Sequence, residues 1–264
     1  MSAAGTYPAN SFALRYLLNT CSENGLRRVL ELGIGSGKAV APLSAAGLEI
    51  TGLDRDPEMV ERSRQAMAEA GQDPDRVVLA DIEDPMSYAD VMRNGPYDAI
   101  LGLGIMPTAR NEAQTLRNVA ALVRPGGHVF LEHRNVLFSL VTFNRHTHAF
   151  IVDDLLDGVD PQMRAHAAQF VEEHVNLEVP PVPTSPFPPR YDNPLTMPAE
   201  YERVGLTDAR PYYFHYHPGA PALEKEHPEQ FHAEAMRLEH EDSGWKGMFL
   251  CSVFLMHARR PAAS

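Results

Sequence analysis

The stretch "VLELGIGSGKAV", Val29–Val40, decides the fold. An apolar run ends at Leu32, and glycines follow at alternate positions, Gly33, Gly35 and Gly37, just before Lys38. A glycine-rich turn that leaves a buried strand and enters a helix lets main-chain atoms approach a ligand closely. A phosphate-binding loop would need G-x-x-x-x-G-K-[ST]. Here Leu32 occupies the place of the first glycine and Ala39 that of the metal-binding hydroxyl, so two required parts of phosphoryl transfer are missing. The dinucleotide pattern G-x-G-x-x-G fails as well: counted from Gly33 its third glycine falls on Lys38, and counted from Gly35 it falls on Val40. What stands is E-x-G-x-G-x-G, from Glu31 to Gly37. Taken alone, it also suits a tight strand-to-helix connection with no ligand.

Outward from this turn, strands and helices alternate. "RRVLELG" reads as a buried strand, "GKAVAPLSAAG" as a helix closed by Gly47, and "LEITGLD" as a strand. "DPEMVERSRQAMAEAG" follows as a helix with Asp56 as N-cap and Pro57 at its first position. "DRVVLAD" and "YDAILGLG" are further strands, "ARNEAQTLRNVAALVRPGG" a helix with a glycine stop, and "HVFLEHRN" a fifth strand. Such alternation predicts a parallel sheet covered by helices on both faces. Phe12, Leu14, Leu17 and Leu18 predict an amphipathic helix ahead of the first strand.

After Asn135 the alternation breaks. Residues 136–196 read as helical turns followed by a return arm with eight prolines within Pro180–Pro198, too many for regular structure. We expect residues 136–196 to form a cap insertion, and residues 1–135 and 197–264 to form the α/β core, with a smaller insertion at 218–246. In that last part "PAEYERVGL" reads as a helix, "DARPYYFHYH" as a strand and "KGMFLCSVFLMHARR" as a final long strand.

With Asp54 closing the second strand, the E-x-G-x-G-x-G pattern resembles motif I of the class I S-adenosylmethionine-dependent methyltransferases, and "GLDRDPEM" resembles the segment after it. "LADIEDP" is similar to the acidic turn after that family's third strand, and "LRNVAALVRPGGHVFLE" to its helix, Pro-Gly-Gly turn and fifth strand. The resemblance covers roughly residues 25–135 and 197–260. It implies a Rossmann-like doubly wound sheet of seven strands, mostly parallel, with the last strand antiparallel between the fifth and sixth. It also implies S-adenosylmethionine as cofactor. Asp54 would then bind the ribose diol, with Arg55 following it. Asp81 and Ile82 would flank the adenine, and Gly33, Gly35, Gly37 and Gly102 would approach the ribose and methionine portions. Glu31 would fix the loop or, through water, the cofactor's ammonium. This cofactor carries a sulfonium and no phosphate, so the missing hydroxyl at Ala39 is no obstacle.

Ligands of parallel α/β sheets bind beyond the strands' carboxyl ends. "EHRN" and "YYFHYH" bring His, Arg, Asn and Tyr to that rim. Methyl transfer needs an aligned nucleophile and, for a hydroxyl, a base, for which histidine suits neutral pH. His133 and His215 are the expected bases, with His146, His148 and His217 as further candidates; each has the ordinary alternative of a structural histidine. Arg134, Asn135, Asn144, Arg145, His148 and Tyr191 are the expected substrate contacts. Arg134 and Arg145 suit a carboxylate or phosphate, and Arg134 equally suits an ion pair with Asp153 or Asp154. Tyr7, Phe138 and Phe143 suit an apolar wall. His215 and His217 share a strand face as a metal pair would, yet no third ligand stands at diagnostic spacing, so no metal is expected.

Composition narrows the partners. The formal charge is -12, with Lys+Arg 23 against Asp+Glu 35 and no basic run to track a phosphate backbone, so nucleic acid is not expected. Neither a leader nor an apolar stretch of spanning length is visible; the chain reads as cytoplasmic, without a membrane partner. Cys21 and Cys251 form no C-x-x-C pair and read as buried apolar groups. The sequence thus points to methylation of a polar small molecule, more readily at oxygen than nitrogen. An NAD(P)-dependent oxidoreductase and a non-catalytic cofactor-binding protein are the alternatives, and a homodimer is the protein partnership left open.

Overall fold

The computed structural model describes residues 9–181, 189–241 and 244–263. Its sheet has seven strands in the order β3-β2-β1-β4-β5-β7-β6, the last antiparallel, as the family resemblance implies. The strands are β1 (Arg28–Leu32), β2 (Glu49–Asp54), β3 (Val77–Leu79), β4 (Tyr97–Gly102), β5 (Val123–Arg134), β6 (Thr207–Tyr216) and β7 (Cys251–Arg259). β1 pairs in parallel with β2 and β4, β2 with β3, and β4 with β5.

The inner strands are apolar on both faces because helices cover both. Val29, Leu30, Leu32, Ile50, Ile100 and Phe130 are fully buried. Each such side chain contributes about 1.5–3 kcal/mol through burial. Helix Pro57–Glu69 starts as read, with the Asp56 side chain accepting from the Glu58 amide at 2.9 Å. Phe12 and Leu17 of helix Ala9–Asn24 are buried, and both cysteines are buried thiols.

Several boundaries differ from the sequence reading, and three of them bear on the argument. Helix Val40–Ala45 begins two residues after Lys38, which is exposed in the preceding turn. Helix Glu112–Leu122 stops before the glycine pair, and Val123–Gly127 belongs to β5. The cause is long-range pairing: Gly126 donates to the Arg260 carbonyl at 2.9 Å, and Arg260 donates back to Gly127 at 2.9 Å. Lastly, Lys246–Leu250 is helical and β7 starts only at Cys251. Gly247 lies so close to Tyr213 and Tyr216 that a Cβ there would sit 2.6 Å from the Tyr216 hydroxyl.

The described residues gather into two compact units. One comprises residues 10–133, 195–212 and 255–263; the other comprises the described residues among 9, 134–194 and 213–254. The second unit contains a 3-10 turn at Val136–Val141, helix Arg145–Ala149, a π-helical turn at Phe150–Leu155 and helix Pro161–Glu172. It also holds the helices Ala222–Glu226 and Pro228–His240. Residues 182–188 of the expected proline arm, and Tyr7, lie outside the described residues. Among the described residues, no helix is long and apolar enough to cross a membrane.

Candidate cofactor site

A cavity open to solvent lies in the first unit where four parallel strands end. Gly33 follows β1, Leu53, Asp54 and Arg55 close β2, and Ala80–Glu83 follow β3; the segment after β4 contributes Leu103, Gly104, Ile105, Thr108 and Ala109. The lining combines apolar walls with a few placed acids, the chemistry of a small-molecule site.

The loop after β1 is shaped by its glycines. Gly33 has φ +62°, and a Cβ there would meet the Ile105 Cδ1 atom at 2.2 Å, so only glycine keeps the loop open beside the cavity. Gly37 has φ +75° and faces away from the cavity, toward helix Pro57–Glu69, where a Cβ would lie 2.7 Å from Ala66. Gly35 donates its amide to Asp54 Oδ2 at 2.8 Å, while Asp54 Oδ1 accepts the Asp56 amide at 3.0 Å. The acid at the end of β2 therefore braces the glycine loop.

Glu31 precedes this loop, buried in β1 between Gly52 of β2 and Leu101 of β4. Its Oε2 has no hydrogen-bond partner. Burial, and then the charge of Asp54, push its carboxyl up to about 8.

The acidic turn after β3 is held from outside. Arg110 pairs with Asp81 and, at 2.9 Å, with Glu83, and Glu83 also accepts the Asn111 amide at 2.6 Å. Asn118 donates to the Ile82 carbonyl at 2.7 Å, and the Glu83 amide donates to Asp81 at 2.9 Å, which fixes the Ile82–Glu83 peptide from both sides.

Gly33, Asp54, Arg55, Asp81 and Ile82 thus share one cavity lining, whereas Glu31, Gly35, Gly37 and Gly102 stand behind it. Gly102 is the last residue of β4, and a Cβ there would lie 2.8 Å from Leu131, so its place is sheet packing. Leu103, Gly104 and Ile105 face the cavity instead. The signal that locates them is the second glycine of "GLGIMP", which has φ +76°. Arg110 had no signal: its role depends on a turn distant in sequence.

The candidate bases occupy different surroundings. His133 is fully buried, its Nε2 2.9 Å from the Tyr201 hydroxyl. His215 has φ +61°, and its Nδ1 lies 3.0 Å from the Ser252 hydroxyl. The His217 ring lies 4.8 Å from that of His215 and 4.6 Å from that of Phe138; burial pushes its imidazole down to about 3, and neither ring nitrogen has a hydrogen-bond partner. Phe143 is exposed at φ +50°.

Of the expected substrate contacts, Asn135 is fully buried, donating to the Met248 and Cys251 carbonyls at 2.8 Å and accepting from the Leu137 amide at 3.0 Å. Asn144 caps helix Arg145–Ala149, accepting the His146 amide at 2.9 Å. His148 Nε2 lies 3.4 Å from Glu172. Arg134 lies over the Tyr191 ring at 5.7 Å, and Asp153 pairs with Arg164, not with Arg134.

Residues 30–129 match a family profile described as a methyltransferase domain. The chain is 29% identical over 137 residues to the ubiquinone biosynthesis O-methyltransferase of Vibrio parahaemolyticus, covering 50% of this chain and 56% of that protein. It is 30% identical over 139 residues to the protein of the same name from Vibrio cholerae, covering 50% and 54%. The match therefore spans about half the length of these curated relatives. Among solved structures, an S-adenosylmethionine-dependent methyltransferase from Mesorhizobium loti superposes with TM-score 0.54 at 16% identity, covering 94% of this chain and 98% of that one. Magnesium protoporphyrin IX methyltransferase from Synechocystis with bound S-adenosylhomocysteine gives TM-score 0.53 at 13% identity, covering 95% and 83%. At these identities the structures establish likeness of fold.

Proposed function

We propose, because residues 30–129 match a methyltransferase domain, that the protein is a class I S-adenosylmethionine-dependent methyltransferase that methylates an oxygen of a polar small molecule. The observation that carries this reading is the cavity where Gly33, Asp54, Asp81 and Ile82 meet. Its residues fit the cofactor. Gly33 keeps clear a space that a Cβ would fill, Asp54 offers a carboxylate to a ribose diol, and Asp81 with Ile82 offers a polar edge to adenine. The unpartnered oxygen of Glu31, which precedes the loop, suits a nearby cation, directly or through water.

When bound, S-adenosylmethionine supplies a methyl group already activated by its sulfonium. The chain's own residues then have to bind, orient and exclude water. Arg110 holds the acidic turn in place, so the adenine edge is organised before binding. Asp54 serves both the loop and the ligand, which couples loop geometry to cofactor binding. Oxygen as acceptor is supported by the printed names of the Vibrio relatives. A small acceptor, rather than nucleic acid, is supported by the charge of -12. A histidine takes the hydroxyl proton in this reading, with His133 and His215 as the residues to test.

The test is transfer of a labelled methyl group from S-adenosylmethionine to paired hydroxyl and amine acceptors, with each histidine replaced by alanine. Labelling confined to hydroxyl acceptors, and reduced by one histidine variant with cofactor affinity intact, supports the proposal. Labelling confined to amines, or no transfer to any acceptor, refutes it.

A further inference from the structure

Four arginines lie between residues 134 and 194, and two of them have acidic partners: Arg164 pairs with Asp153 at 3.2 Å and Arg190 with Asp192 at 3.1 Å. Arg134 and Arg145 have none among the described residues, in a chain whose net charge is -12. Arg145 Nε is moreover buried without a hydrogen-bond partner.

Arg134 and His146 meet at the Tyr191 ring, and Arg145 is next to His146 in the chain. The Arg134 guanidinium stands 5.7 Å from the centre of the Tyr191 ring, and the His146 ring is 4.9 Å from the same ring. His146 feels both arginines: burial first, then the charges of Arg145 and Arg134, hold its imidazole below the usual range. The main chain holds both segments. Asp192 donates its amide to the Arg134 carbonyl at 2.7 Å, and Arg145 donates its amide to the Val179 carbonyl at 3.2 Å. Tyr191 is 37% exposed, so a ligand can reach the cluster.

Two guanidinium groups around one imidazole repel one another and depress the protonated form of that ring. A buried N–H without an acceptor adds a further cost. An oxyanion removes both penalties at once, because a guanidinium donates in a planar fork that matches two oxygens of a carboxylate or phosphate. We propose that Arg134, Arg145, His146 and Tyr191 form a recognition site for a carboxylate or phosphate group of a small molecule, with the Tyr191 ring as its apolar edge. The inference rests on the methyltransferase reading only where that molecule is taken to be the methyl acceptor.

The test titrates the whole chain with benzoate, phenyl phosphate and the neutral benzamide, by calorimetry and by NMR of the arginine Nε–H groups. Benzoate or phenyl phosphate binds, shifts the Arg134 and Arg145 signals, and weakens roughly tenfold or more in Arg134→Gln and in Arg145→Gln. The stronger of the two probes identifies the anion. Arginine-to-lysine variants keep part of the affinity, and unchanged S-adenosylhomocysteine binding reports that each variant is folded. Benzamide binding as tightly as benzoate, affinity indifferent to both glutamine variants, or no binding of either anion at millimolar concentration overturns the inference. Failure of the wild-type chain to bind S-adenosylhomocysteine would overturn the methyltransferase reading and leave the anion result standing.

Discussion

The Asp54 carboxylate accepts the Gly35 amide at 2.8 Å, so the acid that ends β2 and the glycine loop that follows β1 form one hydrogen-bonded unit. Its other oxygen holds the Asp56 amide at 3.0 Å. Asp54→Ala removes both acceptors together with the proposed partner of the ribose diol. We expect a fall of roughly a hundredfold in S-adenosylhomocysteine affinity and a loss of about 1–2 kcal/mol in urea-unfolding stability. Asp54→Asn keeps the shape and one acceptor, and falls between.

Gly33 tests whether the cavity is shaped by backbone or by side chains. Gly33→Ala places a Cβ 2.2 Å from Ile105 Cδ1 at φ +62°. The strained backbone alone costs about 1–2 kcal/mol, and the clash adds to it. Adding Ile105→Ala relieves the clash and leaves the strain, so the double variant recovers part of the lost stability and cofactor binding. A double variant no better than the single would show that the contact is unimportant.

Glu31 predicts a pH dependence of stability. Its carboxyl is pushed up to about 8, whereas an unfolded glutamate titrates at about 4.3. Between those values the folded chain keeps a proton that the unfolded chain has lost. Stability is therefore fully present below the unfolded value and declines as pH rises toward 8. From pH 6.5 to 8 the decline is on the order of 2 kcal/mol, and Glu31→Gln abolishes it. Urea denaturation of both proteins across that window measures the difference.

A buried chain of hydrogen bonds predicts the opposite slope at lower pH. The Tyr16 hydroxyl lies 2.9 Å from His257 Nδ1, and His257 Nε2 lies 2.8 Å from His128 Nδ1. Burial foremost, with nearby positive charge, holds both imidazoles well below the usual histidine value. The contribution is present above the unfolded value of about 6.5 and is lost as pH falls below it. His257→Gln should flatten the acid limb by roughly 1.4 kcal/mol per pH unit between about 4.5 and 6.5, where wild type and variant share the Glu31 slope. Equal slopes would contradict the assignment.

Much of the sheet was legible because β1, β2 and β4 are continuous apolar runs ended by turn residues, and Asp56 with Pro57 marks a helix start from local chemistry alone. What could not be read depends on distant partners. "GMFLCSVFLM" is apolar throughout and carries no period, so only the close approach of Gly247 to Tyr213 and Tyr216 shows where helix gives way to β7. The Pro-Gly-Gly turn joins β5 because Arg260 pairs with Gly126 and Gly127. The family resemblance pointed to Gly33, Asp54, Asp81 and Ile82, which line one cavity, but nothing in the sequence pointed to the bracing of Asp81 and Glu83 by Arg110. The choice of partner for Arg134 also needed coordinates, since the sequence offered Asp153 equally and the structure gives Asp153 to Arg164.

The central claim, that the glycine loop seats a sulfonium cofactor rather than a nucleotide phosphate, is tested most directly by calorimetric titration of the wild-type chain with S-adenosylhomocysteine and, separately, with NADH. One S-adenosylhomocysteine site per chain and no NADH binding are expected. Binding of NADH with no S-adenosylhomocysteine binding would contradict it.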